Sequence, residues 1–489
     1  MNYKMVGNTT GKVLRAEGVI MVLPAIVSLI YSEWFSAIAL SSVATLTFLI
    51  GASLAHFIKP NNQYLFAKEG LITVALAWIS ISIFGALPFV ISGAIPNYID
   101  ALFETISGFT TTGASVLADV ESLSHGMLFW RSFTHWIGGM GILVFVMAIA
   151  SKNPDRSLHI LRAEMPGPIV DKITPRAKDT TLILYVIYTA LTLILVIMLL
   201  FGGMSLFDSI VHAFGTAGTG GFGIKADSLA SYSNYTQWVI AIFMLLFGVN
   251  FNLYFLIIIG KFTSAIKSTE LWTYLGIFAF SVILIASNIY QLYGNFWEVL
   301  RHSVFQTSSV MTTTGYSTVD FATWPVPSQT LLLVLMFIGA CAGSTAGGFK
   351  LSRLIIVFKS ISNNLKKVLH PRTTTSIKLD GKKLEDDTIK GVSAYLDIYI
   401  IVFFIIFLLL AIDPFNTAIT GDGAILTHLS ASTACFNNIG PGLSAVGPMG
   451  NYALYSPLSK IILMFAMLLG RLEIYPILLT INIYTWIKK

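Results

Sequence analysis

Four times along this chain, between apolar segments, a run of small polar residues ends on a single glycine. The runs are Ser107-Gly-Phe-Thr-Thr-Thr-Gly113-Ala, Thr216-Ala-Gly-Thr-Gly-Gly221-Phe, Ser309-Val-Met-Thr-Thr-Thr-Gly315-Tyr and Ala434-Cys-Phe-Asn-Asn-Ile-Gly440-Pro. The core of a water-soluble domain has little use for such a motif in quadruplicate. At membrane depth, four loops of bare backbone can ring a dehydrated cation with carbonyl oxygens. The pattern points to a cation pore built from one chain.

Composition places those loops in a bilayer. Of the 489 residues 55% are hydrophobic and 11% charged, with a mean hydropathy of +0.77, against about 25% charged residues in soluble domains. A spanning helix needs roughly 20 apolar residues. Ten stretches qualify, at 16–33, 36–57, 70–92, 128–150, 180–202, 236–260, 271–290, 329–357, 391–412 and 457–486. No short apolar run with a small-residue cleavage site opens the chain, so no cleaved signal is expected.

The net charge of +6 raises nucleic acid as a partner, but its distribution excludes that. With the N-terminus cytoplasmic and the glycine loops entering and leaving on the outer side, 25 of the 30 Lys and Arg fall in the cytoplasm. Ten lie between Lys350 and Lys390 and six between Lys152 and Lys178; the exceptions are Arg131, Lys225, Arg301, Lys460 and the intramembrane Arg471. This is the positive-inside bias of a multi-pass protein. Two cysteines, Cys341 and Cys435, sit among small or apolar residues and give neither a disulfide framework nor a Cys-based metal site.

The fold class is therefore an all-α polytopic membrane protein. Four parallel helix–pore-loop–helix repeats surround a pseudo-fourfold pore, preceded by two N-terminal transmembrane helices. The boundaries read 1–60 for the N-terminal pair, 61–165, 166–265 and 266–385 for repeats one to three, the third with its cytoplasmic linker, and 386–489 for repeat four. Segments too short to span, Ile99–Ile106, Ser205–Phe214, Phe296–Ser309 and Ala424–Ala434, are re-entrant half-helices, tolerated only where protein or water covers their backbone. Ser209-Ile-Val-His-Ala-Phe and Ser303-Val-Phe-Gln-Thr-Ser stand at the same offset before Gly221 and Gly315. The shared glycines are Gly113, Gly221, Gly315 and Gly440, with Gly221 preferred to Gly220 because Gly221-Phe222 then matches Gly315-Tyr316. The candidate cation ligands are the carbonyls of Thr111, Thr112, Thr219, Gly220, Thr313, Thr314, Asn438 and Ile439 beside those glycines. Asp100, Glu104, Asp119, Glu121, Asp208, Asp227, Glu298 and Asp320 cluster toward the outer mouth, where they are expected to concentrate cations.

Gly339-Ala-Cys-Ala-Gly-Ser-Thr-Ala-Gly-Gly348 lies midway along the third inner helix. Each glycine there costs about 1 kcal/mol relative to alanine, so the run is expected to break the helix under the filter. Arg471 stands alone in an apolar stretch; intramembrane charges are costly and mark function, and this one can bond carbonyls of the broken segment. Lys350 serves either as a hinge anchor or as an ordinary cytoplasmic lysine. The Lys-rich stretch 359–390 is either an exposed docking loop or a solvated positive-inside loop.

These residues resemble the superfamily of TrkH, TrkG and KtrB potassium transporters, which includes the plant HKT proteins. The resemblance covers essentially the whole chain. It is carried by Trp136-Ile-Gly-Gly-Met-Gly-Ile142, Arg162-Ala-Glu-Met-Pro-Gly-Pro168, Gly343-Ser-Thr-Ala-Gly-Gly-Phe-Lys350, Phe436-Asn-Asn-Ile-Gly-Pro-Gly442 and Gly470-Arg-Leu-Glu-Ile-Tyr-Pro476. The two leading segments favour the TrkH type. The resemblance implies one K⁺ pore per chain in a homodimer in the bacterial cytoplasmic (inner) membrane, both termini cytoplasmic. It implies a gating loop at Gly343, Ser344, Thr345, Ala346, Gly347 and Gly348, and a cytosolic RCK/KTN-type, TrkA-like partner ring. A nucleotide, ATP/ADP or NAD, is expected on that partner, and no cofactor on this chain. Glycine in all four loops matches the K⁺-selective pattern.

Other readings fare worse. Gly218–Gly223 satisfies G-x-G-x-x-G without a βαβ context. The eight histidines show no metal spacing. No nucleophile has a plausible base, so the chain is not expected to be an enzyme. The alternative within transport is a K⁺ symporter coupled to H⁺ or Na⁺; no acid–base chain is evident in the spans.

Overall fold

The N-terminal helix runs from Tyr3 to Ile20 and continues, after a break at Met21, through Val22–Ile30. It lies along the helix Trp34–Phe57 so closely that the pair has room only for glycines at their crossing. A β-carbon on Gly51 would lie 2.4 Å from the Arg15 amide, and one on Gly18 would lie 2.6 Å from the Ala44 carbonyl. Small residues at crossings are how helices associate where lipid supplies no hydrophobic drive. The helix begins at Tyr3, thirteen residues before the apolar stretch at 16–33, because its early turns carry an Asn2 cap and polar residues that bond locally.

A computed structural model describes residues 1–60, 67–141, 177–372, 376–421 and 423–486. The repeat boundaries near 61 and 165, the basic segment between Lys152 and Lys178 and the motif Arg162–Pro168 fall wholly or largely outside them.

Four units follow the N-terminal pair. Each has a long outer helix, a half-helix, a glycine loop and an inner helix. The outer helices are Ala67–Ile91, Ala177–Phe201, Thr269–Tyr293 and Asp386–Ile412; the half-helices are Tyr98–Phe109, Leu206–Ala217, Phe296–Met311 and Ala424–Phe436. Asn97, Ser205 and Asn295 cap the first three half-helices with side-chain oxygens, satisfying amides that a re-entrant start leaves orphaned.

The molecule is apolar outside and polar inside. Val186, Leu193, Phe280, Ile283, Ile401 and Phe404 are each more than half exposed, while Thr110, Thr111, Thr112, Thr312, Thr313 and Thr314 are fully buried. Lipid-facing apolar helices around a hydroxyl-rich centre define a multi-pass membrane protein. Among the described residues six helices are long and apolar enough to cross, or seven with the bent pair Asn234–Phe247 and Phe251–Ile258 counted as one span.

The inner helices depart from the sequence expectation. Unit three breaks as its glycines require: Val326–Ile338, an irregular stretch, then Leu351–Leu369. Two others, expected as continuous spans over 236–260 and 457–486, break too. Unit two turns by 89° between Phe247 and Phe251, where Asn250 caps the next helix by accepting the Asn252 amide at 2.9 Å. Unit four stops at Arg471 and restarts at Tyr475, with Glu473 and Ile474 at φ of 57° and 65°. In unit one His125–Met140 ends on Gly141 at φ 83°, so the span expected over 128–150 is interrupted by residue 141. The stretch 359–390 is also not a plain loop. Its first part prolongs the Leu351–Leu369 helix, and a hairpin follows in which Lys378–Leu379 pairs with Lys382–Lys383.

Candidate functional site

The four glycine loops share one backbone conformation. Thr111, Thr219, Thr313 and Asn438 take left-handed φ values of 54°, 54°, 56° and 57°, and two residues later Gly113, Gly221, Gly315 and Gly440 take φ of 78°, 75°, 85° and 98°. The residue between donates its amide to the carbonyl five positions back: Thr112 to Ser107, Gly220 to Gly215, Thr314 to Ser309 and Ile439 to Ala434, all at 2.8–2.9 Å. Left-handed backbone at threonine and asparagine is uncommon and is held only where the surroundings over-determine it. This register sets Gly221 opposite Gly113, Gly315 and Gly440. Gly220 is glycine for a different reason: a β-carbon there would lie 2.3 Å from the His135 ring.

The loops close on one another in chain order. A β-carbon on Gly113 would stand 2.0 Å from the Gly220 carbonyl oxygen, on Gly221 2.1 Å from that of Thr314, on Gly315 2.0 Å from that of Ile439, and on Gly440 2.7 Å from that of Thr112. Each glycine thus leaves space for the carbonyl of the next unit, and the fourth hands back to the first. The four glycines line a single vestibule.

Buried polar groups brace the ring from behind. Arg131 donates to Glu104 at 2.6 Å and to the Gly223 carbonyl at 3.1 Å, and its guanidinium lies 3.4 Å from the Phe222 ring centroid. Glu104 also accepts from the Ser115 hydroxyl and the Val116 amide. Tyr316 donates to the Phe222 carbonyl at 2.9 Å, and Tyr452 to the Gly440 carbonyl at 2.8 Å.

Two of the eight acids expected at the outer mouth, Glu104 and Asp100, are tied up in ion pairs. Glu104 is buried in its pair with Arg131, and Asp100 is bonded to Lys460 at 2.6 Å. Among the described residues no Asp or Glu lines the vestibule; Arg131 and Lys225 do. A buried carboxylate needs a cation as partner, and Glu104 has Arg131.

On the far side of the ring lies the Gly339–Lys350 stretch, and the broken inner helices converge on it. Gly347 donates its amide to the Thr313 hydroxyl at 2.6 Å. Cys341 donates to the Gly248 carbonyl at 3.1 Å, Phe251 to that of Gly343 at 3.0 Å and the Thr345 hydroxyl to that of Phe247 at 3.3 Å. Arg471 donates to the carbonyls of Thr345 at 2.8 Å, Gly139 at 2.7 Å and Gly138. The last two are terminal carbonyls of His125–Met140, whose partial negative charge suits a cation. Lys350 is buried at φ 76° and donates to the Ala346 carbonyl. Ser344 donates to the Cys341 carbonyl at 2.6 Å, and Gly339 and Gly348 stand so close that neither admits a β-carbon.

Two anchors were not visible in the sequence. Glu270, at the start of the third outer helix, accepts the Ala342 amide at 2.7 Å. Glu473 accepts from Arg353 at 2.6 Å. Two residues apart in an intact helix, Arg471 and Glu473 would diverge; the break lets Arg471 reach the stretch itself and Glu473 reach Arg353 just after it. His212, aligned with Glu104 and Gln306, bonds the Asp208 carbonyl at 2.8 Å and packs on Tyr316.

Four helix–loop–helix units whose glycine loops close on one another, with apolar helices outside, define a multi-pass membrane protein. The family model described as "Cation transport protein", TrkH, matches residues 38–485, and the chain belongs to that family. It is 33% identical over 501 residues to the Trk system potassium uptake protein TrkH of Salmonella typhimurium, covering 99% of this chain and 100% of that one. It is 33% identical over 476 residues to TrkG of Escherichia coli K12, covering 95% of each. The crystal structure of the potassium transporter TrkH from Vibrio parahaemolyticus superposes with a TM-score of 0.86 at 30% identity over 100% of both chains.

Proposed function

We propose that this chain takes up K⁺ across the bacterial cytoplasmic membrane. K⁺ sheds its water in a ring formed by the carbonyls of Thr111, Thr112, Thr219, Gly220, Thr313, Thr314, Asn438 and Ile439. The observation that carries this reading is the closed succession from Gly113 through Gly221, Gly315 and Gly440 back to Thr112, since a carbonyl ring replaces hydration oxygens without introducing full charges. The potassium uptake named for the relatives agrees with it.

The Gly343–Gly348 stretch, with Lys350 and Arg471, is the gate in this reading. It crosses beneath the ring and is held by bonds to units two and four and to the glycine loop of its own unit, so passage requires those bonds to break. Control comes from a cytosolic RCK/KTN-type partner that binds ATP/ADP or NAD and bears on the cytoplasmic ends of the inner helices. The working unit is a homodimer with one conduit per chain. The test is uptake of radioactive rubidium by liposomes holding the purified chain, with K⁺ and Na⁺ as competitors. Uptake blocked by K⁺ and not by Na⁺ is expected; uptake blocked equally by both contradicts the filter.

A further inference from the structure

Glu17 belongs neither to the glycine loops nor to the stretch beneath them. It sits in the second half of the Tyr3–Ile20 helix, is 1% exposed, and neither carboxyl oxygen has a hydrogen-bond partner among the described residues. It faces the bare backbone of Gly85 on the first outer helix. A β-carbon there would lie 3.2 Å from Glu17 Oε1, 3.0 Å from the Thr105 methyl and 2.9 Å from the Phe109 ring. Thr105 and Phe109 belong to the half-helix that runs into the first glycine loop. The Gly85 carbonyl is held by the Trp130 indole at 3.0 Å, one residue before Arg131. The carboxyl therefore packs against the back of the first filter unit.

Among the described residues no charge nearby compensates it. On its own helix Lys12 and Arg15 are exposed to the outside. The helix Trp34–Phe57 presents only His56, beyond the Ala44–Phe48 segment that meets Gly18. On the outer helix Lys68 and Glu69 lie sixteen residues or more from Gly85, about 24 Å along the axis. In the half-helix Asp100 is paired with Lys460 and Glu104 with Arg131, and on the first inner helix His135 is stacked on Phe222. Tyr475, on the short helix packed against Ala67–Ile91, is part-exposed near Tyr395. An ionised carboxylate in such a place would cost several kcal/mol with nothing to offset it.

We propose that Glu17 is a proton-binding site, and that its proton holds the N-terminal helix against the back of the first filter unit. The bound proton makes the packing at Gly85, Thr105 and Phe109 neutral. When the proton leaves, the carboxylate requires water or a cation, and the seam must open at the half-helix that sets Thr111 and Gly113. Ion passage then depends on pH through a residue that touches no ion.

Two readouts test this on the full chain in liposomes. Infrared spectra of the wild type should carry a protonated-carboxyl band that is lost in Glu17→Gln, and this arm does not depend on conduction. The second arm rests on the cation-passage reading: rubidium uptake should fall several-fold from about pH 6 to about pH 9 in the wild type and change less than about twofold in Glu17→Gln. Glu17→Leu, also neutral, replaces Gln if that variant is not recovered folded. Infrared spectra identical in wild type and variant, or a variant whose uptake follows the wild-type pH profile, overturn the proposal. If uptake is absent from all chains while the band is lost as expected, the conduction reading fails and the proton site stands.

Discussion

The Thr313 hydroxyl accepts the Gly347 amide at 2.6 Å, which bonds the third glycine loop directly to the stretch beneath it. Thr313 is also one of the four left-handed residues of the ring, at φ 56°. One side chain thus joins the ring to the element proposed to close it. Thr313→Val keeps the shape and removes the acceptor, leaving a buried amide unmet at about 1–3 kcal/mol. Basal rubidium uptake is expected to rise roughly fivefold to a hundredfold, with unchanged preference for K⁺ over Na⁺. Liposome flux of the variant beside wild type checks it.

Arg471 joins three carbonyls from two units. Arg471→Ala frees the Thr345 carbonyl and exposes the end of the His125–Met140 helix. Uptake should increase more than in Thr313→Val, because charge-assisted bonds contribute about 1.5–3 kcal/mol each. Arg471→Lys, which cannot fork between units, should fall between alanine and wild type in the same flux assay.

The glycines should not be equivalent. A β-carbon meets a carbonyl oxygen at 2.0–2.1 Å from Gly113, Gly221 and Gly315, and at 2.7 Å from Gly440. Alanine at the first three must displace the neighbouring carbonyl, and K⁺ over Na⁺ discrimination should fall at least tenfold, which is about 1.4 kcal/mol. Gly440→Ala should be the mildest of the four, and competition of K⁺ and Na⁺ for rubidium uptake ranks them. Gly113→Ser should behave as alanine does or worse.

Removing one partner of the buried Glu104–Arg131 pair leaves an uncompensated charge, at about 3–5 kcal/mol. Glu104→Gln and Arg131→Met should each lower the unfolding temperature of the detergent-solubilised chain by several degrees. The double variant should recover a large part of that loss, which thermal unfolding of the three variants measures.

Much of this molecule was legible before any coordinates. The half-helices and the glycine register follow from short apolar runs ending in small polar residues, and Gly339–Gly348 announced its own break. The breaks at Phe247–Phe251 and Arg471–Tyr475 were hidden because neither carries a run of glycines. One rests on the Asn250 cap and the other on two non-glycine residues held at positive φ, and apolar periodicity reports neither. The pairing of Glu104 was hidden for a related cause. Sequence gives the distance of Glu104 from its glycine but not which side of the half-helix meets Arg131, 27 residues away. The partners of Glu270 and Glu473, Ala342 and Arg353, are unreadable from sequence for the same reason, since they lie 72 and 120 residues away.

The central claim is that the carbonyls beside the four glycines hold a dehydrated cation. Crystals of the chain grown with rubidium or thallium, measured at an absorption edge, test it most directly. Anomalous density is expected on the axis between the carbonyls of Thr112, Gly220, Thr314 and Ile439, weakened or lost in Gly113→Ala. Density absent from that axis in the wild type, with ions bound elsewhere in the chain, would contradict it.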